Sequence, residues 1–441
     1  MYRCEDCGHE SRKWFGRCPG CGNWNTLIEE IEEEYKPKEE TPLLFRLPEI
    51  NIEEEKRISS GISEFDSVLG GGIVPGSLIL IGGDPGIGKS TLLLQVASNV
   101  SRNTPVLYIS GEESISQIKL RADRLCLSEN GLYASSYSNI THVVSQIEEI
   151  KGIGLIIIDS IQAVYHPGLE SSPGTVSQIK VCTGHLTKIA KGRNIPIFIV
   201  GHVTKEGSIA GPKLLEHMVD CVLYFEGDKN NVFRILRAVK NRFGGTNEIA
   251  VFRMEEQGLI EVKSPSEAFL SERPKGASGS IVSCSIEGTR PILVEIQALT
   301  TPTIYGMARR DTLGVNYNRV LLLLAVLEKR MGYNLGTYDL FVNVAGGINV
   351  SEPACDLGIC SAIVSSFKEK SVDEKTVLIG EVGLSGEIRG TTHIEKRVEE
   401  AKKLGFTRIF LPKINKEKIS EQGLEIVGIS NIVDVLTRLF P

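Results

Sequence analysis

The sequence predicts an α/β protein with a small N-terminal finger, a nucleotide-binding core with a mainly parallel sheet, and a C-terminal α+β domain. Three observations support this organisation. Four cysteines lie in two pairs within the first 21 residues. A glycine-rich G-x4-G-K-[ST] motif stands at 83–91, between a predicted strand and a predicted helix. From about residue 56, short β-branched runs alternate with helical stretches, which is typical of a parallel sheet covered by helices.

We divide the 441 residues into a four-cysteine finger at 1–27, an acidic linker at 28–55, the nucleotide-binding core at 56–265 and a C-terminal domain at 275–441. A break is expected at 263–280, where Pro265 and Pro274 lie among glycines and serines. The predicted strands are Leu78–Ile81, Val106–Ile109, Leu155–Ile158, Ile197–Val200, Val222–Phe225, Val377–Val382 and Arg408–Leu411. The predicted helices are Thr91–Ala97, Val320–Lys329 and Glu395–Leu404.

Composition is that of a globular protein, with 41% hydrophobic and 24% charged residues. No run approaches the roughly 18 apolar residues needed to span a bilayer, and the first residues lack the apolar core of a secretory signal. We therefore expect a cytoplasmic protein without a membrane partner. The net charge of −6 argues against a general nucleic-acid coat but leaves room for a local basic groove.

The cysteine spacing Cys4-x2-Cys7, ten residues, Cys18-x2-Cys21 predicts one structural zinc ion held by four thiolates. A 27-residue finger cannot build a sufficient core, so the metal must supply its folding free energy. The alternative, two disulfides or a redox pair, is disfavoured in a reducing compartment. We expect the other six cysteines to be buried: Cys126, Cys182, Cys221, Cys284, Cys355 and Cys360.

The glycine-rich motif predicts an ATP site with bound Mg²⁺. Its glycines let backbone N–H groups turn toward a phosphate, Lys89 reaches the β- and γ-phosphates, and the Ser90 hydroxyl ligates Mg²⁺. The candidate nucleotide-binding residues are Gly83, Asp84, Pro85, Gly86, Ile87, Gly88, Lys89, Ser90 and Thr91.

Three further residues complete the predicted catalytic set. Asp159 ends an apolar strand and would hold Mg²⁺ through water, although an acid there could also cap a turn. Glu112 is our choice for orienting the attacking water, with Glu113 as runner-up; either could instead cap the following helix. His202 follows another strand and is the predicted γ-phosphate sensor, unless it is a structural histidine.

Together these residues resemble RecA/KaiC-type ATPases. The pentapeptide Lys240-Asn241-Arg242-Phe243-Gly244, the finger and the order of domains are similar to the bacterial RadA (Sms) family, whose C-terminal domain resembles the Lon proteolytic domain. The resemblance implies a RecA-like, DNA-stimulated ATPase that promotes branch migration in recombination and break repair. It also implies a homo-hexameric ring, with single-stranded and branched DNA and a recombinase filament on DNA as partners.

The same resemblance assigns roles that the residues alone leave open. Lys240 and Arg242 would act on ATP in trans or contact DNA, and both roles remain possible. Two loops, His166–Ser177 and Thr204–Lys213, would line the ring channel, with Lys205 and Lys213 on DNA phosphates. Without the resemblance both loops would be ordinary surface loops.

The C-terminal domain is predicted to be proteolytically inactive. Lon-type peptidases need a serine three residues after an aspartate, and a lysine at the start of a later helix. Here Ile359 follows Asp356 at that spacing, and Glu395 takes the lysine position. Arg309, Arg310, Arg319, Lys329 and Arg330 could face duplex DNA or only solvent. The competing functions are a KaiC-like signalling ATPase or scaffold without a DNA role and, less favoured, an ATP-dependent protease.

Overall fold

The computed structural model describes residues 2–29, 56–127, 130–201, 212–227, 232–246, 248–304, 306–419 and 423–440. The chain forms two compact units. One comprises Met1–Glu226, Ile235–Thr246 and Phe252–Glu261, and the other Gly227–Arg234, Asn247–Val251 and Val262–Pro441. None of the helices in the described ranges is long and apolar enough to cross a membrane.

The N-terminal finger is a three-stranded antiparallel ribbon. Its strands are β1 (Tyr2–Cys4), β2 (Glu10–Ser11) and β3 (Leu27–Glu29), in the order β2-β1-β3. Its small core consists of Cys4, Cys18 and Leu27, with Tyr2 packed against them. So small a core cannot fold such a segment alone, because burial this limited does not offset the entropy of ordering the chain.

The nucleotide-binding core is a doubly covered sheet. Its elements in chain order are α1 (Ser63–Val68), β4 (Leu78–Gly83), α2 (Lys89–Ser101), β5 (Val106–Ser110), α3 (Ile115–Arg124), β6 (Leu132–Ser135), α4 (Ile140–Glu149), β7 (Leu155–Asp159), α5 (Val176–Arg193), β8 (Ile197–Val200), α6 (Pro212–Met218), β9 (Cys221–Glu226), β10 (Phe233–Asn241), β11 (Ile249–Glu255) and β12 (Gly258–Glu261). The strand order is β12-β11-β10-β9-β4-β8-β7-β5-β6.

Strands β4 to β9 of this sheet run parallel, whereas β9 with β10, and β11 with β12, pair antiparallel. Every residue of β4, β5, β7 and β8 is buried, as expected for strands covered by helices on both faces. The carboxyl ends of the parallel strands meet at one edge of the sheet, which is where ligands bind in such folds.

The C-terminal unit contains a seven-stranded mixed sheet. Its elements are α7 (Pro265–Leu270), β13 (Ser280–Glu287), β14 (Arg290–Pro302), β15 (Arg310–Leu313), α8 (Tyr317–Met331), β16 (Tyr338–Val344), α9 (Asp356–Phe367), β17 (Thr376–Leu378), β18 (Glu381–Val382), β19 (Ile388–Arg389), α10 (Ile394–Lys403), β20 (Arg408–Pro412), α11 (Lys413–Lys416), β21 (Glu425–Ile429) and α12 (Ile432–Leu439). The order is β15-β16-β14-β13-β17-β20-β21, and β18 pairs only with β19.

Two sequence-based predictions, of one strand and of one buried cysteine, are wrong. The strand predicted at Val377–Val382 is two strands, because the chain leaves the large sheet after Leu378 and pairs in a separate hairpin. The expected break at 263–280 contains the helix α7, with Pro265 in its first turn, where a missing N–H costs nothing. Cys126 is exposed, because it follows α3 in a left-handed conformation (φ 52°). The other five scattered cysteines are buried, as predicted.

Candidate nucleotide-binding and zinc sites

The glycine-rich loop joins the carboxyl end of β4 to the first turn of α2. Gly83 has a φ of +148°, and a Cβ there would lie 2.5 Å from the Phe225 carbonyl oxygen. Gly88 has a φ of +119° and directly precedes α2. Only glycine tolerates these conformations without strain, so the loop can turn its amides toward an anion at the positive end of the helix.

Lys89 lies under this loop with only 4% of its surface exposed. Its ammonium donates to the carbonyls of Gly83 (2.7 Å) and Asp84 (3.0 Å). Burial lowers the pKa of Lys89, and the nearby carboxylates of Asp159, Asp84 and Glu112 oppose that shift. Lys89, predicted to bind phosphate, therefore lies near Asp159, predicted to hold Mg²⁺, and near Glu112, predicted to orient water.

Asp159 ends β7 and is 7% exposed. The fully buried Tyr108 on the adjacent strand β5 donates its hydroxyl proton to Asp159 Oδ2 at 2.5 Å. Burial, reinforced by the charge of Asp159, raises the pKa of Tyr108 well above its usual value. The phenol is therefore a protonated donor at neutral pH. We did not predict Tyr108 from the sequence, because an aromatic residue inside an apolar strand has the pattern of a core residue.

The structure separates the two glutamates that follow β5. Glu113 forms an ion pair with Arg121 of α3, and its backbone N–H donates to Ser110 Oγ at 3.0 Å. Glu112 is exposed, and it accepts a hydrogen bond from Ser160, the residue after Asp159. Glu112 is thus the acid beside the phosphate loop, whereas Glu113 is engaged on α3. The cap of α3 is neither acid but Ser114, whose side chain accepts from the Gln117 amide.

The remaining loop residues are described only in part. His202, Lys205 and most of Thr204–Lys213 lie outside the described residues, as does the side chain of Lys213. The first predicted channel loop, His166–Ser177, is held by the buried Gln178, whose amide accepts from the His166 N–H (2.7 Å) and donates to the Ser171 carbonyl (2.8 Å). This loop is therefore anchored at its base on α5.

Lys240 and Arg242 lie away from the phosphate loop of the same chain. Asn241 pairs with Cys221, which is level with Ile79 on β4, and Gly83 is four residues further along that strand. At about 3.3 Å per residue, the separation along the sheet is roughly 13 Å. The two cations sit at the amino end of β4, and the phosphates would bind at its carboxyl end.

Both cations instead contact the carboxyl end of α6 or the residues just after it. Lys240 Nζ donates to the carbonyls of Glu216 (2.7 Å) and Val219 (2.9 Å). Arg242 donates to Asp220 Oδ1 at 3.1 Å, yet 61% of its side chain stays exposed. Burial raises the pKa of the Asp220 carboxyl, but hydrogen bonds from Lys191 and from the Leu78 amide, with the charges of Lys191 and Arg242, outweigh it and lower the pKa.

A cavity of about 560 Å³ adjoins the first turn of α2. It is lined by Thr91 of that helix, the end of α3 (Arg124, Leu125) and the β11–β12 turn with its flanks (254–258). Its position next to the phosphate loop suits the nucleoside part of a nucleotide, because the phosphates must lie at the amino end of α2.

The four N-terminal cysteines converge on one point. Their sulfur atoms all lie within 4.8 Å of one another, with Cys4 and Cys21, and Cys7 and Cys18, each 3.6 Å apart. A tetrahedral zinc ion with Zn–S bonds of about 2.3 Å requires sulfur separations near 3.8 Å. A disulfide requires about 2.0 Å. The residues fit zinc, and the disulfide alternative does not fit.

The residues at the positions of a Lon-type dyad are not the serine nucleophile and lysine base of that dyad. Ile359 is buried on α9, and Glu395 is exposed on α10. Asp356, 1% exposed, forms an ion pair with Arg319 and accepts from the Val382 amide at 3.1 Å. The Arg310 guanidinium donates to the Leu335 carbonyl at 2.9 Å. Arg319 and Arg310 therefore stabilise the fold rather than form a free basic face.

Comparisons with known proteins match all three parts of the chain. Family models described as a rubredoxin metal binding domain, an AAA domain and subunit ChlI of Mg-chelatase match residues 2–29, 45–208 and 297–415. A protein named DNA repair protein RadA from Bacillus subtilis is 52% identical, over 98% of this chain and 97% of that protein. Namesakes from Listeria monocytogenes and Streptococcus pyogenes are 51% and 50% identical, each over 99% of this chain and over 97% and 98% of their own lengths.

Among solved structures, one titled as a crystal structure of the RadB recombinase aligns with 47% of this chain and all of its own, at 24% identity and a TM-score of 0.38. That similarity is too distant to support an argument about this chain.

Proposed function

The chain belongs to the RadA family of DNA repair proteins, and from that premise we propose that it is a DNA-stimulated ATPase that moves branch points in recombination intermediates. The observation that carries the proposal is the grouping of Lys89, Asp159 and Glu112 at the carboxyl edge of the sheet. At this edge Lys89 is the cation for the phosphates, Asp159 is the acid for Mg²⁺, and Glu112 is the acid for the attacking water.

In this mechanism the chain's own residues position and stabilise. The amides of 83–88 and Lys89 bind the β- and γ-phosphates, and Ser90 and Asp159 hold Mg²⁺, which neutralises developing charge when bound. Glu112 orients water for in-line attack, supported by its hydrogen bond from Ser160. His202 senses the γ-phosphate, and Lys205 and Lys213 contact the DNA backbone, as the family resemblance implies.

We propose that Arg242 acts on the ATP bound by a neighbouring copy of the chain in a cytoplasmic hexameric ring. Two observations support this: its distance from its own phosphate loop, and the 61% exposure of its side chain. A cation supplied across an interface can neutralise transition-state charge. Lys240 has the supporting task of holding the end of α6, since its ammonium is already bonded to two carbonyls there.

The C-terminal domain acts in this proposal as a ring-forming scaffold and not as a peptidase. An isoleucine cannot attack a peptide bond, and the Asp356 carboxylate forms an ion pair with Arg319. We also propose that the finger, the linker, the ATPase domain and the C-terminal domain span residues 1–27, 28–55, 56–265 and 275–441.

The decisive experiment is steady-state ATP hydrolysis with and without single-stranded DNA at two salt concentrations. We expect stimulation that weakens with salt, because phosphate contacts release counterions. Lys89→Ala should abolish hydrolysis. Absence of stimulation in the unmodified protein would overturn the DNA motor and favour a signalling ATPase.

Mixed assemblies test whether Arg242 acts in trans. Lys89→Ala and Arg242→Ala proteins should each be inactive, but a mixture contains interfaces in which Lys89 comes from one copy and Arg242 from the other. We expect partial recovery of hydrolysis in the mixture, approaching one quarter of the unmodified rate for random mixing. No recovery, in mixtures shown to exchange subunits, would refute the role in trans and favour DNA contact.

A further inference from the structure

The zinc ribbon displays an aromatic surface that its own fold does not use. The chain has only two tryptophans, Trp14 and Trp24, and both lie on the ribbon, 55% and 71% exposed. Phe15 beside them is 45% exposed. A Cβ built at Gly16 would lie 3.6 Å from each indole, so the two rings flank that glycine. We call Trp14, Phe15 and Trp24 the aromatic face.

The backbone holds these rings in place. Arg17 and Trp24 form an antiparallel bridge, and the Asn25 N–H donates to the Gly16 carbonyl at 2.8 Å. The ribbon core consists of other residues, namely Cys4, Cys18, Leu27 and Tyr2. Large aromatic rings held outside a core indicate a binding surface, because exposing them to water is otherwise unfavourable.

Basic residues lie next to the aromatic face in the sequence. Residues 11–28 contain Arg12, Lys13 and Arg17 and no aspartate or glutamate. Arg12 and Lys13 are exposed, and neither forms an ion pair with a residue in the described part of the chain. Arg17 is partly engaged, since its Nε donates to the Gly22 carbonyl at 2.7 Å. Arg12 and Lys13 directly precede Trp14, whereas on the side of Trp24 the Asp6 carboxylate accepts from the Asn23 side chain at 2.8 Å. The exposed cations therefore lie on the Trp14 side of the aromatic face.

We propose that the aromatic face, with Arg12 and Lys13, binds single-stranded DNA by stacking bases on Trp14 and Trp24 and pairing the cations with phosphates. Indole faces accept any base, and neighbouring cations follow the backbone. This combination favours a strand with unpaired bases over a duplex, whose bases are already stacked. The proposal rests on the proposed function only in taking DNA as the partner.

Tryptophan fluorescence of the full-length, zinc-loaded protein tests the proposal directly, because every indole in the chain lies on this surface. Titration with an unlabelled oligothymidylate should quench the emission saturably, and added salt should weaken the effect. Arg12→Gln/Lys13→Gln keeps both reporter rings and should weaken the quenching titration about tenfold, on the order of two lost phosphate contacts.

Two further variants separate stacking from folding. Trp14→Ala/Trp24→Ala should bind a labelled oligonucleotide at least about tenfold more weakly in fluorescence anisotropy, as loss of base stacking predicts. Its zinc content should remain one ion per chain. Tyr133→Ala removes a 48% exposed aromatic from β6 and is the matched control, with unchanged affinity expected.

The outcomes distinguish this proposal from the proposed function. Oligonucleotide that binds by anisotropy and stimulates ATPase activity, but leaves tryptophan emission unchanged, overturns the ribbon site and keeps the DNA motor. Quenching by polyglutamate but not by oligothymidylate also overturns it and assigns the face to an acidic protein. Quenching by oligothymidylate without ATPase stimulation supports the ribbon site and overturns the motor.

Discussion

Replacing Tyr108 by phenylalanine removes one hydroxyl from the centre of the nucleotide site. That hydroxyl donates to Asp159 Oδ2 at 2.5 Å, and both residues are buried. A hydrogen bond to a charged acceptor contributes about 1.5–3 kcal/mol to stability. A buried carboxylate oxygen left without its donor also carries the full free-energy penalty of its desolvation. We therefore expect Tyr108→Phe to lower the free energy of unfolding by about 2 kcal/mol.

The Mg²⁺ dependence of ATP hydrolysis is more informative about Tyr108 than the loss of stability. Residues that orient a metal-binding group change metal affinity by about 10–100-fold when removed. Tyr108→Phe should therefore raise the Mg²⁺ concentration for half-maximal ATP hydrolysis at least about tenfold, while saturating Mg²⁺ restores much of the rate. Binding of nucleotide in the absence of metal should change little, because Lys89 and the loop amides remain in place.

Tyr224→Phe is the matched control for this measurement. Its phenol donates to Glu216 Oε1 at 2.6 Å, so the substitution removes the same kind of bond from a different carboxylate. The control should lose stability without a change in Mg²⁺ dependence. An unaltered Mg²⁺ dependence in Tyr108→Phe, alongside a loss of stability, would refute the positioning of Asp159 by Tyr108.

Three other predictions concern stability. Because the folded pKa of Asp220 is lowered, its carboxylate stabilises the fold above the unfolded pKa near about 4, and this contribution is lost as pH falls through the folded pKa. In Asp220→Asn, the free energy of unfolding measured with urea should therefore fall less steeply as the pH is lowered. Arg319→Met leaves the charge of Asp356 buried without its partner and should lower the free energy of unfolding in urea by about 3 kcal/mol. The double variant Arg319→Met/Asp356→Leu should recover much of this loss, and additive losses in it would contradict the reasoning. Zinc chelation should unfold the ribbon alone, altering tryptophan emission while basal ATPase activity persists; a parallel loss of both would contradict it.

The sequence predicted best the strands whose burial is complete. β4, β5, β7 and β8 were predicted to within two residues at either end, because strands covered on both faces are continuous apolar runs. The segment 377–382 begins as an apolar run but contains Gly380 and Glu381, and it divides after Leu378, where the chain leaves the large sheet and pairs in a separate hairpin. Cys126 was predicted to be buried and is exposed, since a residue ending a helix takes its orientation from the turn.

In the site, the motif positions were predictable and their partners were not. Lys89 belongs to a motif with fixed spacing and Asp159 ends a continuous apolar strand, whereas the bond from Tyr108 depends on the pairing of β5 with β7. The choice between Glu112 and Glu113 was open in the sequence, because both follow the same strand. The position of Arg121 on α3 separates them, since its charge holds Glu113 there. Such choices depend on packing between elements that lie apart in the chain.

The contacts of Lys240 and Arg242 connect the two roles that the sequence left open for them. Lys240 binds the carbonyls of Glu216, in α6, and Val219, and Arg242 binds Asp220 just after that helix. The first two residues of α6 are the last two of the predicted DNA loop Thr204–Lys213. Movement of that loop on DNA would therefore shift the groups that hold both cations. Coupling between two sites requires an element that both can bias, and in the proposed motor α6 would be that element, with DNA on one side and Arg242 on the other. In the proposed motor, contact with ATP in trans and response to DNA are then one mechanism, because the carboxyl end of α6 and the two residues after it take part in both.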